Sequence, residues 1–288
     1  MVRRVQSPTV ATFSICATDG RDFGVAVASK FLAVGSVVPW AGAGIGALAT
    51  QAMANTSYGP SGLQLLSEGL PAQQVVERLT AADPDRDHRQ LGIVDRDGGS
   101  WTYTGSACFD WAGGRTAPGC ACQGNILSGP EVADALLDTF LASSGDLCDR
   151  LLAALSAADE AGGDRRGRES AALLVVRKGG GYGGLDDRMI DLRVDDHPEP
   201  VMELQRLARL WRVYFEETDD GALLPVDEEL VRRLRLGLQR RGIQVRGEGL
   251  DSVFLALEAW AGMENLEERL RGRDRLDPVV LRMLEGQL

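Results

Sequence analysis

The order in which β-rich and helical segments alternate constrains the fold of this chain more than any single motif. Thr12–Thr18 and residues 22–29 are short β-rich runs separated by Asp19-Gly20-Arg21, a turn signal of the kind that closes a hairpin. A third apolar run at 44–51 precedes a loop at 55–62. After it Leu63, Leu65 and Leu66, then Val75, Val76 and Leu79, recur at helical spacing. Strands are predicted at Arg89–Asp95 and 100–105 around Asp97-Gly98-Gly99, and another ends at Gln123 before a loop through Gly124-Asn125. Helices follow at 131–141 and 146–158, then a strand pair at 170–177 and Arg188–Val194. Blocks of strands separated by helix pairs predict an α+β layered architecture rather than alternating βαβ units with a parallel sheet. The glycine-rich run from Gly179 to Gly184 lies between two strands and opens no helix, so it reads as hairpin slack and not as a phosphate-binding loop.

The 288 residues exceed one average domain, which predicts a large domain followed by a small one. A helix at Pro200–Phe215 runs into the polar stretch 216–221, a natural linker. Beyond it, residues 222–288 carry Leu230, Leu234 and Leu238 on one helical stripe, with Leu255, Leu257, Trp260, Leu266 and Leu270 on others, so the tail reads as a small helical module.

Composition removes several function classes. The 31 basic and 42 acidic residues leave a net charge of −11, and a pI near 4.8 offers no basic footprint for a phosphate backbone, which argues against nucleic acid as a partner. The most apolar stretch, residues 31–49, is broken by Pro39 and by Gly35, Gly42, Gly44 and Gly46, which suits buried strands and turns rather than a membrane helix. No apolar segment of signal-peptide length precedes Asp19, so a cytoplasmic protein is expected. The five cysteines are an odd number without paired CxxC motifs and support neither a disulfide framework nor a zinc site. Cys120-Ala-Cys122 puts two thiols on one strand face, the arrangement a redox or metal role would need. Only Lys30 and Lys178 are lysines in an arginine-rich chain, and Lys30 stands at the end of the second strand.

Several ordered segments together resemble a known prokaryotic family. They are Thr12-Phe13-Ser14-Ile15, Val25-Ala26-Val27-Ala28-Ser29-Lys30, Ala33-Val34-Gly35-Ser36-Val37-Val38-Pro39-Trp40-Ala41, and Ala49-Thr50-Gln51-Ala52 with Asn55 and Tyr58-Gly59-Pro60. The match continues through Arg89-Gln90-Leu91-Gly92-Ile93-Val94-Asp95, Gln123-Gly124-Asn125-Ile126-Leu127, the 161–167 segment with Ser170-Ala171-Ala172-Leu173, and Val194-Asp195-Asp196-His197. Over roughly residues 12–210 the chain resembles the domain-of-unknown-function family numbered 1028. The tail, with Pro225-Val226, Arg240-Arg241-Gly242 and Asp277-Pro278-Val279-Val280-Leu281, resembles a peptidoglycan-binding module that some members of that family carry.

The resemblance implies a four-layer αββα sandwich like that of the N-terminal-nucleophile hydrolases, with an extension at 1–11, the main domain at 12–215, the linker at 216–221 and the helical module at 222–288. In that chemistry a Thr, Ser or Cys side chain attacks an amide carbonyl while its own free α-amine takes the proton. Thr12 matches the family's start and Lys30 is placed to keep that amine uncharged. Ala11 precedes Thr12, so the mechanism requires removal of residues 1–11. Ser14, two residues on, shares the strand face and is a weaker alternative. Asn125 is a candidate oxyanion donor, with Gln123 beside it. Gln51 and Asn55 are candidates to line a polar pocket, and Asp164 with Arg166 is expected to form a structural ion pair. His88, Asp196 and His197 lie in polar turn-like segments where a base or ligand contact is chemically reasonable and a structural hydrogen bond is the simpler role. No metal and no cofactor is expected. The expected activity is hydrolysis of a small amide or peptide-like ligand. The rival reading is a non-catalytic ligand- or glycan-binding protein on the same scaffold, with 222–288 recruiting a peptidoglycan fragment or a protein. No membrane partner is expected, and a homodimer is.

Overall fold

In the computed structural model, which describes residues 12–287, β1 (Thr12–Thr18) and β2 (Phe23–Ser29) are buried along their whole lengths. Both faces of each strand therefore need cover. Alternation sends Thr12, Ser14 and Cys16 to one face of β1 and Phe13, Ile15 and Ala17 to the other. The first set is polar or small, which suits a close sheet-on-sheet approach, and the second suits packing under helices.

The chain continues through β3 (Pro39–Gly42), β4 (Gly46–Ala52), α1 (Tyr58–Ser67), α2 (Ala72–Ala81), β5 (Arg89–Asp95), β6 (Ser100–Thr104), β7 (Gly113–Ala117), β8 (Cys120–Asn125), α3 (Glu131–Ala142), α4 (Leu147–Glu160), β9 (Ser170–Val176) and β10 (Arg188–Val194). One sheet runs β10-β9-β2-β1-β8-β7 and the other β3-β4-β5-β6, and every named pair is antiparallel. Strands β1, β8 and β7 of the first sheet face β4, β5 and β6 of the second. Helices α3 and α4 cover the outer face of the six-stranded sheet, and α1 and α2 pack their Tyr58, Leu66, Val75, Val76 and Leu79 onto Leu48, Leu91 and Ile93 of the four-stranded one. The result is the four-layer αββα sandwich. Each fully buried Leu, Ile or Phe in these layers contributes about 2 kcal/mol.

Details differ from the sequence reading: α1 begins at Tyr58, inside the segment 55–62 expected as a loop. Gly124 and Asn125 are the last residues of β8 and not a loop, because Gly124 is paired on both sides, with Phe13 and Gly113, and Asn125 is paired with Thr12. Strand β7 was hidden in sequence, since Gly-Gly-Arg-Thr-Ala carries no alternating apolar signal; β8 beside it supplies the pairing.

A fully buried Asp22 holds one end of the large sheet by accepting Arg177 Nε at 2.7 Å and Nη2 at 2.6 Å, a fork-shaped ion pair tying the β1–β2 turn to the end of β9. At the other end the chain leaves the strands through strained backbone. Ala33, Ala52 and Ile126 all have φ between 53° and 64°, and two of them directly follow Gln51 and Asn125. For a β-branched residue such as Ile126 that conformation is a genuine outlier, held by Ile126 N donating to Phe109 O and by Arg165 N donating to Ile126 O.

The described chain falls into two compact units that divide at Gln205 and Arg206, inside α5 (Pro200–Phe215). The second unit contains α6 (Glu228–Arg240), α7 (Leu250–Met263) and α8 (Pro278–Glu285) around a core of Leu234, Leu238, Phe254, Leu257, Trp260 and Val280. It also carries a feature its helical pattern did not announce, a two-stranded ribbon of β11 (Leu224–Pro225) and β12 (Arg275–Leu276).

Candidate functional site

The inner face of β1 meets a layer of amide side chains with no charge among them. Thr12, Ser14, Gln51, Gln90, Gln123 and Asn125 are all fully buried, an arrangement tolerable only if their polar atoms satisfy one another. Backbone carbonyls orient the network. Gln90 Nε2 donates to Gly124 O at 2.7 Å, to Gly113 O at 3.3 Å and to Thr104 Oγ1 at 2.9 Å, so its Oε1 faces the amide nitrogens of Gln51 at 2.8 Å and Asn125 at 2.9 Å. Gln51 Nε2 also reaches the carbonyls of Thr12 and Gln123, so its Oε1 takes the Ser14 hydroxyl at 2.7 Å, and Ser14 Oγ accepts Gln123 Nε2 at 2.7 Å. Gly92 leaves the space this requires: a Cβ there would lie 1.8 Å from Gln123 Oε1. An amide oxygen is no base, so Ser14 has nothing here to activate it. Asn125 Oδ1 has no hydrogen-bond partner among the described residues.

Thr12 lies at one end of this layer. Its hydroxyl donates to Ser29 Oγ at 3.2 Å, and the register sets Ser29 on one side of it and Asn125 on the other. Lys30 follows Ser29, and its backbone is clamped: Lys30 N donates to Asp164 Oδ2 at 2.9 Å and Lys30 O accepts Arg166 Nη2 at 3.1 Å. The expected Asp164–Arg166 ion pair is present at 2.8 Å, with the Asp164 side chain buried. The Lys30 ammonium lies 3.4 Å from Glu169 Oε2.

A cleft of about 690 Å³ opens here, lined by Lys30, Asp159, Asp164, Arg168, Asp196 and His197 among others. His197 N donates to Glu169 O at 2.7 Å, and His197 Nδ1 accepts Glu199 N at 3.0 Å. The structure thus gathers Thr12, Gln51, Gln123 and Asn125 into one network and sets Lys30, Asp196 and His197 on one cleft wall. Ser14, Ser29, Gln90 and Glu169 belong to the same region. Of these, Ser29 ends β2 beside Lys30 and Gln90 follows Arg89 at the start of β5, polar strand-end positions that carry no distinct signal in the sequence.

Asn55 and His88 stand elsewhere. Asn55 Nδ2 donates to Asp83 Oδ2 at 2.9 Å, alongside the Tyr58 hydroxyl at 2.9 Å and Arg89 Nε at 3.0 Å, while His88 is exposed in the adjoining turn. Burial alone would raise the Asp83 carboxyl, but the hydrogen bonds from Arg89, Asn55, Asp85 N and Tyr58 outweigh it and hold the group well below the carboxylate range. Its ionised form is therefore favoured by folding, a contribution complete above the ordinary value of 3.8 and lost as pH falls toward the lower folded value. Asp83→Asn is expected to cost about 2 kcal/mol at neutral pH and to flatten the acid limb of stability below about pH 4, read from urea midpoints across pH. An unchanged acid limb would remove this role.

Cys120 Sγ and Cys122 Sγ lie 3.5 Å apart, buried. Burial first, and then neighbouring thiols, push Cys16 and Cys122 well up, so both stay protonated and unreactive at neutral pH. Among the described residues Asp146, Cys148 and Asp149 bring three ligand atoms within 4.8 Å, where Asp146 Oδ1 caps α4 by accepting Asp149 N at 2.9 Å.

The fold and its strained, amide-lined strand ends define an αββα-sandwich protein with a polar cleft beside the start of its central strand. The chain belongs to the family of unknown function DUF1028, whose profile matches residues 12–204. Residues 214–284 match a second family, described as a peptidoglycan binding domain. A crystal structure of a DUF1028 protein from Silicibacter pomeroyi is 34% identical, covers 74% of this chain and 92% of its own, and superposes with a TM-score of 0.64. No functionally curated protein matches the chain. Among the described residues no helix is long and apolar enough to cross a membrane.

Proposed function

We propose that the sandwich is an amide-bond hydrolase of the N-terminal-nucleophile type acting on a small amide or peptide-like substrate, formed when the Ala11–Thr12 bond is cut. The observation that carries this reading is the position of Thr12. It opens a central strand of the larger sheet, paired with Asn125, whose amide oxygen has no partner among the described residues, and with Ser29, which precedes Lys30 of the cleft. The strained residues Ala33, Ala52 and Ile126 cluster after Lys30, Gln51 and Asn125, as strain does at reacting sites.

Once residues 1–11 are gone, the Thr12 hydroxyl attacks the substrate carbonyl carbon and the Thr12 α-amine takes its proton. The tetrahedral oxyanion collapses, the C–N bond breaks, and the ammonium returns the proton to the leaving amine. Water then hydrolyses the Thr12 ester by the same route. Asn125 Nδ2 carries a second N–H beyond the one given to Gln90, available to the oxyanion, and Asn125 Oδ1 can accept from the α-ammonium. The Lys30 charge favours the neutral amine, and the carboxylate of Glu169 offsets part of that field.

Intact mass and N-terminal sequencing of protein from its native host test the reading. Wild type is expected to start at Thr12, and Thr12→Ala to remain uncut and lose at least about 10³-fold in amide hydrolysis. Hydrolytic activity in protein still starting at Met1 would overturn it. The second reading, a non-catalytic binding protein whose 214–284 module holds peptidoglycan, is favoured by the Lys30–Glu169 pair and by the match of that module. An uncut, inactive chain that binds ligand in the cleft is its expected outcome.

A further inference from the structure

We infer that the cleft beside Lys30 binds a small zwitterion, an amino acid or short peptide with a free ammonium and a free carboxylate. This names the substrate class of the site proposed above and rests on that reading's assignment of the cleft to the substrate.

The inference comes from which charges on the wall are already spent. At about 690 Å³ the cleft has the size of a small-molecule site. Apart from two glycines and Pro198, every residue lining it is ionisable, so it offers an apolar ligand little to bury against. Asp164 is fully occupied, accepting Lys30 N and three Arg166 nitrogens. Arg168 is held between Asp159 at 2.9 Å and both Glu199 oxygens at 3.1 and 3.2 Å. Both groups are structural.

What remains has two signs. The Lys30 side chain is 42% exposed and its 3.4 Å contact with Glu169 is long, so the pair yields to a competing carboxylate at little cost. The hydrogen bond from Glu199 N to His197 Nδ1 requires the neutral ring with its proton on Nε2, which adds a second donor. Glu160 meets the Ser156 hydroxyl, and Asp196 is exposed with no cation of the described residues against it. An anion alone would leave Asp196 and Glu160 facing it, and a cation alone would leave Lys30 facing it. A zwitterion matches both, its carboxylate on Lys30 and His197 and its ammonium on Asp196 and Glu160.

Having only two lysines makes this directly readable. Reductive ¹³C-methylation of the full chain gives one resonance each from Lys30 and Lys178, assigned by the loss of one in Lys30→Arg. Glycylglycine is expected to shift the Lys30 signal and leave Lys178 in place. N-acetyl-glycylglycine and glycylglycine amide are each expected to bind at least about tenfold more weakly, and Asp196→Asn to weaken the free dipeptide but not the acetylated one. Equal binding of the capped forms, or no shift of Lys30 at tens of millimolar dipeptide, overturns the inference. Turnover separates it from the hydrolase reading. Charge-dependent binding without cleavage sustains the zwitterion site and counts against the enzyme, whereas cleavage of neutral amides without charge dependence does the reverse.

Discussion

Gln90→Leu is expected to destabilise the sandwich by about 4 kcal/mol, among the largest effects available from one neutral side chain. Leucine preserves volume and apolar contact, so the loss isolates the hydrogen bonds. Gln90 is the hub between the sheets, accepting from Gln51 and Asn125 and donating to Gly124 O, Gly113 O and Thr104. Removing it takes the acceptor from the amide nitrogens of Gln51 on β4 and Asn125 on β8 and the donor from carbonyls on β7 and β8 in a fully buried layer, and each buried group left without a partner costs about 1–3 kcal/mol. Thr104→Val, which removes one of the five partners, is expected to cost about 1 kcal/mol. Guanidinium midpoints for the pair check this. A Gln90→Leu protein within about 1 kcal/mol of wild type would mean that the network relaxes or hydrates and does not hold the sheets.

The same network marks how far the sequence could be read. The strand and helix order was legible because the period of the apolar residues changes from two to 3.6 at each boundary, and Arg188–Val194 and Pro200–Phe215 emerge with the bounds the periodicity predicts. Strand β7 was not, since its glycines pair through backbone alone. Thr12, Gln51, Gln123 and Asn125 stood out as polar residues at strand positions, and the fold joins them. What no spacing could reveal was their common partner: Gln90 lies between Arg89 and Leu91 on a strand whose nearer signals pointed to Asn55 and His88. Asn55 serves the Asp83 cluster instead, because the loop after β4 turns back onto Asp83 and Arg89, and His88 stays exposed in the adjoining turn. Pocket walls assembled from residues 30, 164, 168 and 197 depend on loop crossings that local sequence does not encode.

In the second unit, Arg269→Ala is expected to cost about 4 kcal/mol and to release protection across residues 206–287. Arg269 is buried, and each guanidinium nitrogen is engaged. Nε donates to Val213 O, Nη2 to Arg212 O at 3.0 Å and to Glu216 O, and Nη1 to Thr218 Oγ1 at 3.1 Å and Asp277 Oδ2 at 2.7 Å. One side chain thus caps the carbonyls at the end of α5, ties the polar 216–218 stretch to the module and neutralises Asp277, whose other oxygen accepts Val279 N to start α8. Alanine leaves the buried Asp277 carboxylate without its cation and takes this donor from the Val213 and Glu216 carbonyls. Lysine restores the charge but reaches one partner at a time, so Arg269→Lys is expected to recover less than half of the loss. Hydrogen exchange on the full chain is the measurement, because it reads each unit separately. Faster exchange confined to α6, α7 and α8, with β1, β2 and β8 unchanged, is the expected result. Unaltered exchange in those helices would mean that their apolar core around Trp260 holds the module without this arginine.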